Sequence, residues 1–286
     1  MGLDESDAEH GGFSVGLSNC LGCIEQPLIS CIIQLNSSLS NGNTKMTGKT
    51  SNLSFERPLT TVDVVIFTVL DDQLQVLLVK RPDDPAEPFP NAWALPGGFV
   101  DVKQDDSLKD CARRKLLDKT GVKSPYLEQL GSWGSKTRDP RGWSATHAYF
   151  ALLPANSVQL EQGADKPPAK WHAVDELSPR KRLAFDHADI LHAALERLRS
   201  KVEYTSLPAF LLPEPFTLPQ LQKVYEVVLG RSIDKSGFRT RALAADFLEE
   251  NGFLDVGSPR PAMGYRLKDR DAAVYFPRTF SPRNAE

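Results

Sequence analysis

A chain of 286 residues with 41% apolar and 25% charged residues has room for two domains and the make-up of an ordinary globular protein. No run approaches the roughly eighteen apolar residues of a membrane span, and the acidic start Met-Gly-Leu-Asp-Glu-Ser is unlike a signal peptide, so no membrane partner is expected. The formal charge of −3 is uneven: Asp4, Glu5, Asp7, Glu9 and Glu25 stand against only Lys45 in residues 1–45, which carry −4 and leave the remainder at +1.

Residues 1–57 are rich in Gly, Ser and Asn and keep no period, which predicts a disordered or loosely held extension. The composition shift near residue 45 makes Met46 a candidate start. Three of the four cysteines, Cys20, Cys23 and Cys31, fall in this segment. No second pair follows Cys20-x-x-Cys23, so neither a zinc site nor a disulfide framework is expected, and a reducing cytoplasm fits.

Val62–Leu70 is a β-branched run that reads as a strand, turned by Asp71-Asp72-Gln73 into a second strand over Leu74–Lys80. The prolines of residues 81–90 exclude helix and central strand there. Next comes a glycine loop, Leu95-Pro-Gly-Gly-Phe99, and a helix capped by Asp106 or Ser107, with Leu108, Cys111, Ala112 and Leu116 as its apolar stripe and Gly121 as its stop.

This loop and helix resemble the Nudix box, the pyrophosphate-hydrolase motif in which a Gly is followed by Glu and then by Arg-Glu-apolar-x-Glu-Glu-x-Gly-apolar. Aligned on Gly121-Val122, Arg114 takes the motif Arg, Leu116 the apolar position and Asp106 the first acidic position, with the loop from Gly98 two residues longer than the pattern. Where the family carries metal-binding carboxylates, this chain has Lys115, Asp118 and Lys119. Spacings of three and four place these on one helix face. Two ammoniums and one carboxylate repel a divalent cation where three carboxylates would bind it. No catalytic or metal-ligating residue and no required cofactor are therefore expected, while Lys115 and Lys119 could take the charge of a diphosphate directly.

Strands are expected over Tyr126–Trp133 and Thr146–Leu153. Between them Asp139-Pro-Arg-Gly142 looks like the loop of ADP-ribose-type Nudix proteins, with Arg138 and Arg141 offering planar donor forks to a diphosphate. A polar surface loop over residues 155–170 follows, then a short strand and turn from Trp171 and a last helix from Ala184, with Ile190, Leu191, Ala194 and Leu198 inward. His187 and His192 do not share a chelating face, and solvated or capping roles are expected for them.

Leu207-Pro, Leu212-Pro and Glu214-Pro mark a boundary. Beyond it Thr217 caps a helix with the stripe Leu218, Leu221, Val224, Tyr225 and Val228, ended by Gly230. A second helix is expected over about Lys235–Asn251, with Gly252 as its stop, then a β-wing from Phe253–Val256 and Gly264–Lys268. Helix, turn, helix and wing describe a winged helix-turn-helix. Lys235, Arg239, Thr240 and Arg241 on its second helix and Arg260 in the wing are the candidate DNA contacts.

Two modules in this order resemble the Nudix-related transcriptional regulators of NAD metabolism, the NrtR family. The second module carries the resemblance in Phe216-Thr-Leu, Leu221-Gln-Lys-Val-Tyr-Glu226, Asp234-Lys-Ser-Gly-Phe-Arg-Thr-Arg241 and Arg260-Pro-Ala. It implies an α+β chain: a loose extension over 1–57, a Nudix-fold α/β/α sandwich over 58–206 that senses ligand, and a winged helix over 207–286. It further implies a homodimeric repressor that ADP-ribose or a related NAD-derived nucleotide releases from double-stranded operator DNA. The rival readings are an ADP-ribose or nucleoside-diphosphate pyrophosphatase, and a nucleotide-binding module that recruits proteins.

Overall fold

The structure is a computed structural model that describes residues 56–123, 126–158, 160, 168–177, 183–257 and 259–276. The expectations for residues 1–55, including Met46 and the three cysteines there, and for residues 159 and 161–167 of the 155–170 loop lie outside the described residues.

The β-branched run becomes β1 (Leu59–Leu70), buried on both faces along most of its length. Val62, Val64 and Ile66 join one apolar cluster while Val65 and Phe67 join another, because alternate side chains of a strand face opposite ways. Asp71 and Asp72 have φ of 52° and 58°, the two left-handed residues of a tight hairpin turn, and the chain returns antiparallel as β2 (Gln73–Lys80).

Around this hairpin stand β3 (Trp93–Ala94), β4 (Gly97–Phe99), β5 (Tyr126–Ser135), β6 (Ser144–Leu152) and β7 (Ala169–Ala173). The sheet runs β3-β2-β1-β6-β5, with β4 also on β1 and β7 also on β2, and β6 parallel to β1. Gly97–Phe99, expected as loop, is a strand paired with Thr61–Asp63.

Helix α1 (Leu108–Thr120) covers one face with Cys111, Ala112 and Leu116 fully buried. Ser107 is its cap, accepting from the Asp110 amide, and Gly121 ends it in the left-handed conformation. Helix α2 (His187–Val202) covers the other face with Ile190, Leu191, Ala194 and Leu198. Helix, sheet and helix form the expected α/β/α sandwich, and no described helix is long and apolar enough to cross a membrane.

The first part of the proline-marked boundary is buried, while Pro213 and Pro215 are exposed. Leu207–Leu211 forms a 3₁₀ turn in which all five residues are inaccessible, and its apolar side chains belong to the same cluster as Phe67 and Leu198. Helix α3 (Leu218–Leu229) then carries the five-residue stripe read from the sequence, Leu218 to Val228, as its buried residues. Thr217 and Gln220 form a reciprocal capping box at its start. Thr217→Ala is expected to cost about 1 kcal/mol, lowering Tm by roughly 2–4 °C in a calorimetric scan.

Helix α4 (Lys235–Ala244) is shorter than expected. Asp246 adopts φ 53°, Phe247 is buried, and the chain continues as β8 (Leu248–Leu254), which pairs with β9 (Ala262–Leu267) around a register shift at Gly252. Leu248–Asn251 is thus strand and not helix: its apolar residue continues a helical spacing, but the left-handed turn at Asp246 has already ended the helix.

Candidate functional site

Asp63 interrupts the apolar run of β1 with a carboxylate that is 5% exposed. It faces the α2 side, where β4 crosses it so closely that a Cβ on Gly97 would lie 2.0 Å from Asp63 Oδ1. Only glycine fits there. The Thr146 hydroxyl donates to Asp63 Oδ2 at 2.7 Å, His187 Nε2 lies 3.5 Å from it and the Arg138 guanidinium 3.8 Å. Burial raises the proton affinity of Asp63, but these three neighbours overcome it and hold the carboxyl below its ordinary range.

His187 corrects the sequence expectation: it is neither solvated nor a cap. Its ring is 4% exposed and Nδ1 accepts from the Leu95 amide at 2.9 Å, which leaves the ring proton on Nε2, towards Asp63. His192 is exposed beside Glu196.

Arg138 is 8% exposed, with both faces of its fork committed to Asp186, Nε to Oδ2 at 2.8 Å and Nη2 to Oδ1 at 2.7 Å. Asp186 precedes α2 and makes no capping bond, because its carboxylate is spent on Arg138. Arg141 is paired in the same way with Asp139, at 3.1 and 2.9 Å, and lies over the Phe99 ring. Phe185 sits between Arg81 and Arg138, 5.1 and 5.9 Å from its ring centre, and has φ 53°, a strained conformation for an aromatic residue.

These groups enclose a cavity of about 320 Å³ whose wall includes Asp63, Gly98, Lys119, Arg138, Arg141 and His187. Lys119 reaches it from α1, and Lys115 lies just behind, its Nζ 3.0 Å from where a Gly98 Cβ would stand. Gly98 has φ 144°, open to glycine alone. Among the described residues neither lysine makes an ion pair or side-chain hydrogen bond, unlike the two arginines, and the same is true of Lys80, which also lines the cavity. Asp118 is exposed and does not join them.

The box arginine takes its partner from beside the first acidic position. Arg114 is held bidentately by Asp105, at 2.7 and 2.6 Å, and not by Asp106; counting back from Gly121 could not fix the loop, which folds so that Asp105 also accepts from the Asp101 amide. The Asp105 side chain is 1% accessible, and the Arg114 fork holds its carboxyl far below the usual range. With Asp105 so engaged and lysines at 115 and 119, the residues present do not fit a divalent cation. Burial pushes the Cys111 thiol up to about 11, which makes it an inert packing group.

At the other end of α2, the winged helix is seated directly on the helix. Arg199 Nε donates to the Val228 carbonyl at 3.1 Å, and the Tyr225 hydroxyl donates to the Thr205 carbonyl at 2.8 Å. On α4, Lys235, Arg239 and Thr240 are exposed on one face with Leu243, whereas Arg241 lies about 200° round the helix from Arg239 and packs over the Phe276 ring at 5.7 Å. Arg260 is exposed in the turn between β8 and β9.

Sequence reasoning missed Asp63, Phe185 and Asp186. The signal for Asp63 was present, a lone carboxylate in an otherwise apolar strand. Nothing in the sequence paired Asp186 with an arginine 48 residues earlier.

A box loop and helix laid on a mixed sheet, followed by two helices and a β-wing, define a Nudix-type domain joined to a winged-helix domain. The NUDIX domain matches residues 59–194, and the NrtR DNA-binding winged helix domain matches residues 208–267. A protein of Acinetobacter baylyi named as an ADPR responsive transcriptional repressor is 44% identical over 233 residues, 81% of this chain and 91% of that protein. The crystal structure of Shewanella oneidensis NrtR is 44% identical with TM-score 0.69, over 76% of this chain and 98% of that one. The same protein complexed with a 27mer DNA matches at 43% identity and TM-score 0.69, over 76% and 97%. The chain belongs to the NrtR family.

Proposed function

We propose that the protein is a transcriptional repressor of NAD metabolism genes that binds operator DNA through its winged helix and is released by ADP-ribose, or a closely related NAD-derived nucleotide, held in a Nudix domain that does not cut it. The observation that carries this reading is the cationic cavity: Lys119, with Lys115 behind it, presents ammonium groups that are unpaired among the described residues, where hydrolytic members need carboxylates. Such donors match a diphosphate without an intervening metal. The winged-helix match, and relatives named for ADPR response and for a DNA complex, support the regulatory half. The working form is a cytoplasmic homodimer, since a two-fold pair of recognition helices matches two operator half-sites.

Coupling between the two functions runs through α2. Its first residue, His187, lines the cavity, Asp186 just before it holds the cavity's Arg138, and its last turn seats α3. At about 1.5 Å per residue the helix spans roughly 24 Å. A diphosphate that engages Arg138 competes with Asp186 for the same donor fork, so ligand affinity depends on where the start of α2 sits. A ligand shifts an equilibrium only by its preference between two states, and this competition supplies one.

A mobility shift on DNA upstream of the protein's own gene, titrated with ADP-ribose, tests the reading. Arg239→Ala should weaken retention by about 1–3 kcal/mol, roughly 5- to 150-fold, with ADP-ribose affinity unchanged. Unaltered DNA retention in that variant would favour the rival pyrophosphatase, in which the second domain serves only as a dimerisation element or substrate lid.

A further inference from the structure

A second and larger cavity, about 730 Å³, lies at the opposite end of α2 from the nucleotide cavity, between the last turn of α2 and the inner face of α4. Its wall is aromatic, with Tyr204, Tyr225, Phe238 and Phe276, and Tyr225 and Phe238 meet edge to face with centroids 5.1 Å apart. Four ionised side chains also reach it: Glu203, Arg231, Asp234 and Arg241.

Their charges cancel, yet their commitments differ. Arg231 donates to Glu203 at 3.0 Å. Asp234 is spent as the cap of α4, accepting from the Gly237 amide at 2.6 Å and from the Ser236 hydroxyl at 2.7 Å. Arg241 alone keeps its donors: among the described residues its guanidinium makes no hydrogen bond or ion pair and only packs over the Phe276 ring. A planar fork of unused donors therefore stands beside a stack of rings in a space the size of a small-molecule site.

We propose that this cavity is a second ligand site, taking a planar aromatic carboxylate whose ring stacks among Tyr204, Tyr225, Phe238 and Phe276 and whose carboxylate pairs with Arg241. A carboxylate matches the guanidinium fork with two parallel hydrogen bonds. A doubly charged phosphate is disfavoured, because Glu203 and Asp234 stand in the same wall and only one cation is unpaired. The walls come from α2, α3 and α4, so an occupant touches both the sensing domain's last helix and the DNA-reading helix. It provides an input separate from the nucleotide cavity, which shares no residue with this one.

The test uses the full chain saturated with ADP-ribose and 2-naphthoate as the probe, read by saturation-transfer NMR and by quenching of naphthoate fluorescence. Naphthoate is expected to bind without displacing ADP-ribose, and its neutral isostere 2-naphthamide to bind at least about tenfold more weakly. Arg241→Ala should lower naphthoate affinity by at least about tenfold, and Arg241→Lys, which keeps the charge and loses the fork, by an intermediate factor. Tm and ADP-ribose affinity report whether each variant is folded, and the naphthamide comparison needs no variant. Equal binding of naphthoate and naphthamide, one-for-one displacement by ADP-ribose, indifference to Arg241→Ala in a folded variant, or no binding of either probe would each overturn the proposal. Failure here leaves the nucleotide site untouched, since ADP-ribose binding is measured in the same samples.

Discussion

Replacing Lys119 with Glu is expected to weaken ADP-ribose binding by about 2–3 kcal/mol, roughly 30- to 150-fold, the scale of a two-unit charge change beside a diphosphate at a partly exposed site. Lys119 is the residue to change because, among the described residues, no carboxylate pairs with it, whereas Arg138 and Arg141 face Asp186 and Asp139. Lys119→Met, which removes one charge without adding its opposite, should give about half that loss in free energy. The glutamate does not restore cutting on this account, because Lys115 remains and Asp105 stays bound to Arg114. Isothermal titration of each variant in EDTA, where no metal can bridge the phosphates, measures the effect. An unchanged affinity in Lys119→Glu would remove the cationic cavity from the explanation.

Arg138→Met is expected to cost about 3–5 kcal/mol of folding stability, because it strands the carboxylates of Asp186 and of buried Asp63 without their shared guanidinium. That corresponds to a fall in Tm of roughly 10 °C or more for a protein of this size. Asp186→Asn in the Arg138→Met background should cost less than in the wild type, since the partner is already missing, and a double-mutant cycle reads that coupling directly. Acid should act through the same groups. Asp63 and Asp105 both titrate lower in the folded chain than in the unfolded one, so their stabilisation is complete above an unfolded value of about 4 and is lost as the pH falls through the folded values. In Arg138→Met one of the groups holding Asp63 down is gone, so acid unfolding should begin at higher pH than in the wild type.

What could be read from the sequence was local. The run at Val62–Leu70, the Asp71-Asp72 turn, the Thr217 cap and the stripe from Leu218 to Val228 each follow from neighbouring residues, and each appears where the pattern puts it. The lysines of the box were legible because helical spacing carries a side chain's direction with it, and Lys119 does reach the cavity. Contacts that close over long stretches of chain were not legible: the Leu95 amide on the His187 ring and the Arg138–Asp186 pair both depend on β3, β6 and α2 meeting at one corner. The overrun of α4 came from a different limit, since Leu248 keeps helical spacing with Ala245 while a single left-handed residue, Asp246, redirects the chain into a strand. Arg241 shows the same limit at the surface, because composition counts it with Arg239 although the helix turns the two apart.

The fate of ADP-ribose in the presence of the full chain and Mg²⁺, followed by chromatography for AMP, tests the account most directly. Nucleotide recovered intact, from protein that the same nucleotide has released from its operator, is the predicted result. Steady AMP production at an enzyme's rate would contradict it, and would mean that the lysines of α1 had not turned a cutting site into a sensing one.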